Sequence, residues 1–114
     1  MKPSSLSCLA LMASGVAGIL MPSRVAMTLD LTPTSQRGLA ETRAGLGGTY
    51  AALGAWALAS RSPIAKRAVG VTWLGAAAVR VSALKLDEPE TDWTYWAYLA
   101  AEVGLGTSAL LARS

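Results

Sequence analysis

Four ionisable side chains stand within or at the edge of apolar runs of this sequence: Glu41, Arg43, Arg80 and Glu102. Burying charge among apolar groups is costly, so such residues face other helices, pair with one another and mark functional positions. Two acids and two bases can cancel. At about 1.5 Å of rise per residue, Glu102, nine positions past Trp93, lies about 14 Å along its helix. Arg80, four positions before Leu84, lies about 6 Å from the end of its own. An arginine can snorkel along its helix, so the four groups are expected to meet in one half of a helical bundle. Arg80 is expected to pair with Glu102 or Glu41, and Arg43 with the remaining carboxylate. Three chemistries fit such a set. One is a neutral polar clamp that sets helix register. Another is a polar pocket that opens outward and holds a headgroup, a quinone or another amphipathic molecule. The third is proton relay through Glu102.

Much other chemistry is excluded. The chain has no histidine, so Ser-His-Asp and Cys-His arrangements are impossible. Cys8 is the single cysteine, which rules out an intramolecular disulfide. With this inventory no zinc or haem site of the usual kinds is expected, and no metal or cofactor is assigned. Gly45, Gly47 and Gly48 lack the preceding strand and following Lys-Ser or Lys-Thr of a phosphate-binding loop. Glu41 and Glu102 are the only proton-transfer candidates and neither has a nucleophile beside it, so no catalytic residue is assigned. Asp87, Glu88, Glu90 and Asp92 read as a solvated acidic loop.

The elements that must position the charges are four apolar stretches, at about 4–21, 39–60, 66–84 and 93–112. Crossing hydrocarbon as a helix takes about 20 residues. Of the 114 residues, 53% are hydrophobic and 15% charged, against about 25% charged in a soluble domain. The expected fold is all-α: a single-domain integral membrane four-helix bundle, up-down-up-down, with the lipid bilayer as its solvent. The first stretch, apolar after Lys2 and ending in Ala and Gly, also has the form of a secretory signal peptide. Lys2, the connection carrying Arg61, Lys66 and Arg67, and Arg113 hold no acid, while the loop from Lys85 to Asp92 is acidic. By the positive-inside rule the basic face, with both termini, is cytoplasmic, and the location is the inner membrane, multi-pass. The net charge of +3 follows from this topology. The basic residues sit at the ends of apolar runs and form no nucleic-acid patch.

Small residues four apart permit close helix contact. Ala44, Gly48 and Ala52 are the expected packing stripe on the second stretch, Ser14 and Gly18 on the first, and Gly104 and Ser108 on the fourth. Internal packing is favoured over dimerisation, because all four helices need partners. Trp93, Tyr95, Trp96 and Tyr98 open the fourth stretch as interface anchors. They also have the makings of a stacking platform for a ligand. In the first outer loop Val25, Met27, Leu29 and Leu31 alternate with other residues, as in an extended cover over the bundle or a short interfacial turn.

The run Glu41-Thr42-Arg43-Ala44-Gly45-Leu46-Gly47-Gly48-Thr49-Tyr50 has the form E-x-R-A-x-x-G-G-x-Y. Pro22 precedes it. Arg80, an Asp87-Glu88-Pro89 turn and Glu102 follow. In this order the chain resembles the small bacterial four-helix membrane proteins catalogued as domain of unknown function 4345. The resemblance spans nearly the whole chain and is most specific in the Glu-Arg-Gly-Gly run; the turn departs from an expected Asp-Gly. It implies the fold and topology above and no assigned activity. The leading expectation is therefore a non-enzymatic structural or accessory subunit of a membrane complex, partnered by other membrane subunits or by a second copy. The alternative is a carrier or binding protein for a lipid-like or quinone-like ligand held at Glu41, Arg43, Arg80 and Glu102.

Overall fold

The computed structural model describes residues 1–113 and is helical throughout, with no strand among them. Helix α1 covers Pro3–Leu20 and α2 covers Pro22–Thr28. A helical rod then begins with α3 (Gln36–Thr42), widens into a π-helical segment (Arg43–Gly48) and continues as α4 (Thr49–Ser60). Helix α5 spans Pro63–Leu86 and α6 spans Trp93–Leu110.

Local chemistry sets most of these limits. Proline opens α1, α2 and α5, where its missing N–H costs nothing. Side-chain oxygens of Ser35, Ser62 and Asp92 accept backbone N–H groups at the starts of α3, α5 and α6. The α4–α5 connection is two residues long, and Arg61 makes it by taking a left-handed conformation, φ 58°. Helix α5 is longer than the expected 66–84, because the Ser62 cap and Pro63 start it early. Lys66 and Arg67 lie inside its first turns.

The first outer loop is not an extended cover. Its initial part is α2, so the period-two pattern of Val25, Met27, Leu29 and Leu31 gives way to helical spacing. Val25 and Leu29, four apart, both face the interior of the bundle.

The helices associate chiefly as two pairs, α1 with the π-segment and α4, and α5 with α6; α1 also packs along α6. Both main pairs run antiparallel. In the first, a methyl group on Gly54 would lie 2.5 Å from the backbone nitrogen of Met12, and one on Gly18 would lie 2.7 Å from the Leu46 carbonyl oxygen. In the second, a methyl group on Gly70 would lie 2.5 Å from the Leu110 nitrogen. Backbones this close tolerate only hydrogen as a side chain.

The packing stripe differs from the expected one. Gly18 is in it, with Gly15, Gly47, Gly54, Gly70 and Gly106. Ala44, Ala52, Ser14 and Gly104 are exposed, and nothing approaches Gly48 or Gly104. Ser108, half-buried, turns its hydroxyl to its own helix at the Gly104 carbonyl. The π-segment is the physical reason on the second stretch. Its wider turn, with the Thr49 N–H reaching back to the Ala44 carbonyl, adds a residue per turn and rotates everything after it. Four-residue spacing across that segment no longer marks one face.

Helices α1 and α5 are long and apolar enough to cross a membrane, by length and composition alone. In the other two expected spans, the π-segment divides the helix and leaves α4 at 12 residues, while α6 includes Glu102 and four aromatic residues. Only 33% of the qualifying part of α1 and 17% of that of α5 is buried inside the molecule. Large apolar side chains, among them Leu20, Trp56, Val71, Val79 and Leu111, point outward. The molecule is 42 Å long.

Candidate functional site

Helix periodicity brings Tyr95, Tyr98 and Glu102 onto one face of α6, at i, i+3 and i+7. That face meets Arg80 of α5. The Arg80 Nε donates to Glu102 Oε1 at 2.8 Å and Nη2 donates to Oε2 at 3.0 Å, a bidentate pair. The side chain of Glu102 is 5% exposed and that of Arg80 19%. The guanidinium carbon lies 5.0 Å from the centroid of the Tyr95 ring and 5.5 Å from that of Tyr98. Two aromatic faces therefore add to the carboxylate in holding the cation. The Tyr95 hydroxyl donates to the Arg80 carbonyl at 2.6 Å, which ties ring to backbone. The Tyr98 hydroxyl lies 2.6 Å from Thr28 Oγ1 and so fastens α2 to α6.

Glu41 and Arg43 do not join this pair. Glu41 meets Arg37 of its own helix at 3.5 Å, with both side chains largely exposed. Arg43 donates to the Ile19 carbonyl near the end of α1. The expected four-charge cluster is therefore one buried pair, one surface pair and one arginine capping a helix end. The physical reason is placement: α3 and the π-segment pack on α1 and α2 and not on the α5–α6 pair. Glu41 and Arg43 lie at the outer end of a rod whose interior face carries Gly47 and Gly54, and their side chains leave from the rim.

The four aromatic residues divide in the same way. Trp93 and Trp96 are 79% and 49% exposed, whereas Tyr95 and Tyr98 are partly buried against Arg80. The inward role of the tyrosines was readable from their spacing to Glu102. That of Thr28 was not, since it depends on where α2 folds.

Two hollows reach the pair, and a third lies beside them at Tyr98. An inner cavity of about 250 Å³ lies between α1, α2, the rod, α5 and α6, and its wall includes Tyr50, Trp73, Arg80, Tyr98 and Glu102. An outer cavity of about 300 Å³ is roofed by the two outer loops and also reaches Arg80 and Tyr98. A third, apolar groove of about 290 Å³ shares Thr28, Thr94 and Tyr98 with the outer one.

The opposite end of the molecule is basic. Lys2 and Arg113 lie together there. Lys66, 5% exposed, donates to Ser5 Oγ at 3.1 Å, and the Arg67 Nε donates to the Ala112 carbonyl at 2.9 Å. Acids gather at the Arg80 end, where Asp30, Glu90 and Asp92 border the outer cavity. Asp92 is held below the usual carboxylate range by the hydrogen bond from the Thr94 hydroxyl and then by those from backbone N–H groups, Tyr95 first.

No family model matches this chain, and no curated protein or solved structure matches it.

Proposed function

We propose that this chain is an integral membrane four-helix protein, with both termini cytoplasmic, that binds an amphipathic molecule without chemical change at a site built on Arg80 and Glu102. The observation that carries this reading is an aromatic-walled cavity containing a buried, bidentate ion pair, set among helices whose large apolar side chains point outward. A soluble protein hides such helices in its core, whereas lipid is the solvent that suits them. The segregation of Lys2, Lys66, Arg67 and Arg113 from Asp30, Glu90 and Asp92 supports the orientation. A length of 42 Å matches a bilayer with its headgroups, about 40–45 Å. The ligand is lipid-like or quinone-like, because the hollows around Arg80 and Tyr98 join polar walls to apolar ones. Purification in mild detergent followed by mass spectrometry of extracted small molecules tests it. The expected result is a retained amphipath, released by replacing Arg80 and Glu102 together with glutamine. A folded, monodisperse monomer obtained without detergent would refute the membrane part.

One observation favours a second reading, an accessory subunit of a membrane complex. Ala44, Gly45 and Ala52 are exposed, and nothing approaches Gly45 or Gly48. A neighbouring helix could approach this face closely. Cross-linking from a cysteine at Ala52 in intact membranes would report such a neighbour, and its absence at all protein densities would dismiss this reading.

A further inference from the structure

Arg80 stands where a carboxylate-rimmed cavity adjoins an apolar groove. Nε and Nη2 are engaged by Glu102, while Nη1 donates to nothing among the described residues. No buried side-chain nitrogen or oxygen among the described residues lacks a partner, so Nη1 keeps accessible surface, and Arg80 lines the outer cavity. On the loop side stands the outer cavity, with Asp30, Glu90 and Asp92 at its rim. On the membrane side, Trp93, Ala97 and Ala101, each four apart on α6, line the apolar groove that joins this cavity at Thr28, Thr94 and Tyr98. The outer cavity thus joins rim carboxylates to the Arg80 guanidinium, and the apolar groove opens from its side at Thr28, Thr94 and Tyr98.

We infer that the site selects a zwitterionic lipid head with a primary ammonium outermost and a phosphate next to the glycerol, the phosphatidylethanolamine type. This rests on the binding function proposed above and adds the chemistry of the head. The phosphate accepts a charge-assisted hydrogen bond from Arg80 Nη1. The ammonium lies among the rim carboxylates and donates to them, and an acyl chain follows the groove along α6. An anionic head without the ammonium meets three carboxylates and a guanidinium whose charge Glu102 already balances, so it is disfavoured. A quaternary ammonium is disfavoured for a different reason. It has no N–H to donate to the rim carboxylates, and Arg80 already stands over the Tyr95 and Tyr98 rings.

The test is competition. The full chain in mild detergent is equilibrated with equal amounts of phosphatidylethanolamine, phosphatidylglycerol, phosphatidylcholine and a ubiquinone, and bound molecules are counted by native mass spectrometry. Phosphatidylethanolamine is expected to exceed each of the others by about tenfold, a difference within reach of one buried charge contact. Asp30→Asn with Glu90→Gln should bring the ratio to phosphatidylglycerol near one without lowering phosphatidylglycerol itself. Arg80→Gln with Glu102→Gln, which keeps the net charge and whose folding is checked by circular dichroism, should lower binding of both phospholipids. Equal retention of the phospholipids, or preference for the ubiquinone, by folded protein would overturn the head-group assignment and leave the binding site standing. Retention of none would overturn both.

Discussion

The two helix pairs use opposite means of holding together. In α1 with the π-segment and α4, Gly15, Gly18, Gly47 and Gly54 let the backbones touch, and the nearby charges Arg37, Glu41 and Arg43 are kept at the rim. In α5 with α6, backbones touch only toward the basic end, at Gly70 and Gly106. Toward the acidic end side chains join them instead: Arg80, Glu102, Tyr95 and Tyr98. A bundle built only in the first way would have no polar interior. The second pair leaves an ion pair between its helices and hollows beside it.

The largest effect should come from removing one half of the buried pair. Glu102→Ala strands the Arg80 cation and should cost about 3–5 kcal/mol, read as a lowered midpoint in denaturant titration of detergent-solubilised protein. The same substitution at Glu41 should change that midpoint by less than about 0.5 kcal/mol, since it breaks only an exposed i, i+4 pair. Equal losses at the two positions would erase the distinction between the helix pairs.

Glycine substitutions sharpen it from the other side. Gly54→Ala forces α1 and α4 apart and should cost about 1–3 kcal/mol. Gly48→Ala, only a turn and a half earlier on the same rod, meets nothing and should be neutral or stabilising by a few tenths of a kcal/mol, about the gain from replacing glycine in a helix. Thermal unfolding of the two variants side by side decides this.

Tyr98→Phe removes the hydroxyl between α6 and Thr28 and keeps the ring over Arg80. A loss of about 0.5–1.5 kcal/mol is expected, with faster hydrogen exchange confined to α2. The smallest effect is at the cap of α6. Because the folded-state pKa of Asp92 is depressed, its contribution is present above the ordinary aspartate value of about 4 and fades as pH falls through the lower folded value. Asp92→Asn keeps a capping oxygen without a titrating group. The gap in melting temperature between wild type and this variant should therefore narrow below about pH 4.

The long helices could be read from apolar runs, because hydropathy acts within a few residues, while the cap at Ser62 and Pro63 that starts α5 early went unread. The separation of basic from acidic connections was equally local. That Arg80 would meet a carboxylate followed from the cost of leaving it alone. Which carboxylate it meets was decided by which helices pack together and how each is turned. Successive residues turn by about 100° around a helix axis, so a partner on another helix depends on how both are turned, and the π-segment at Arg43–Gly48 resets that angle midway along its rod. The same uncertainty assigned the packing stripe to Ala44, Gly48 and Ala52 instead of Gly47 and Gly54, and hid α2. Sequence alone determined which residues must be covered, paired or left in an apolar solvent, since those costs belong to each side chain. Only tertiary structure decided who faces whom, since contact between helices depends on all their rotations at once.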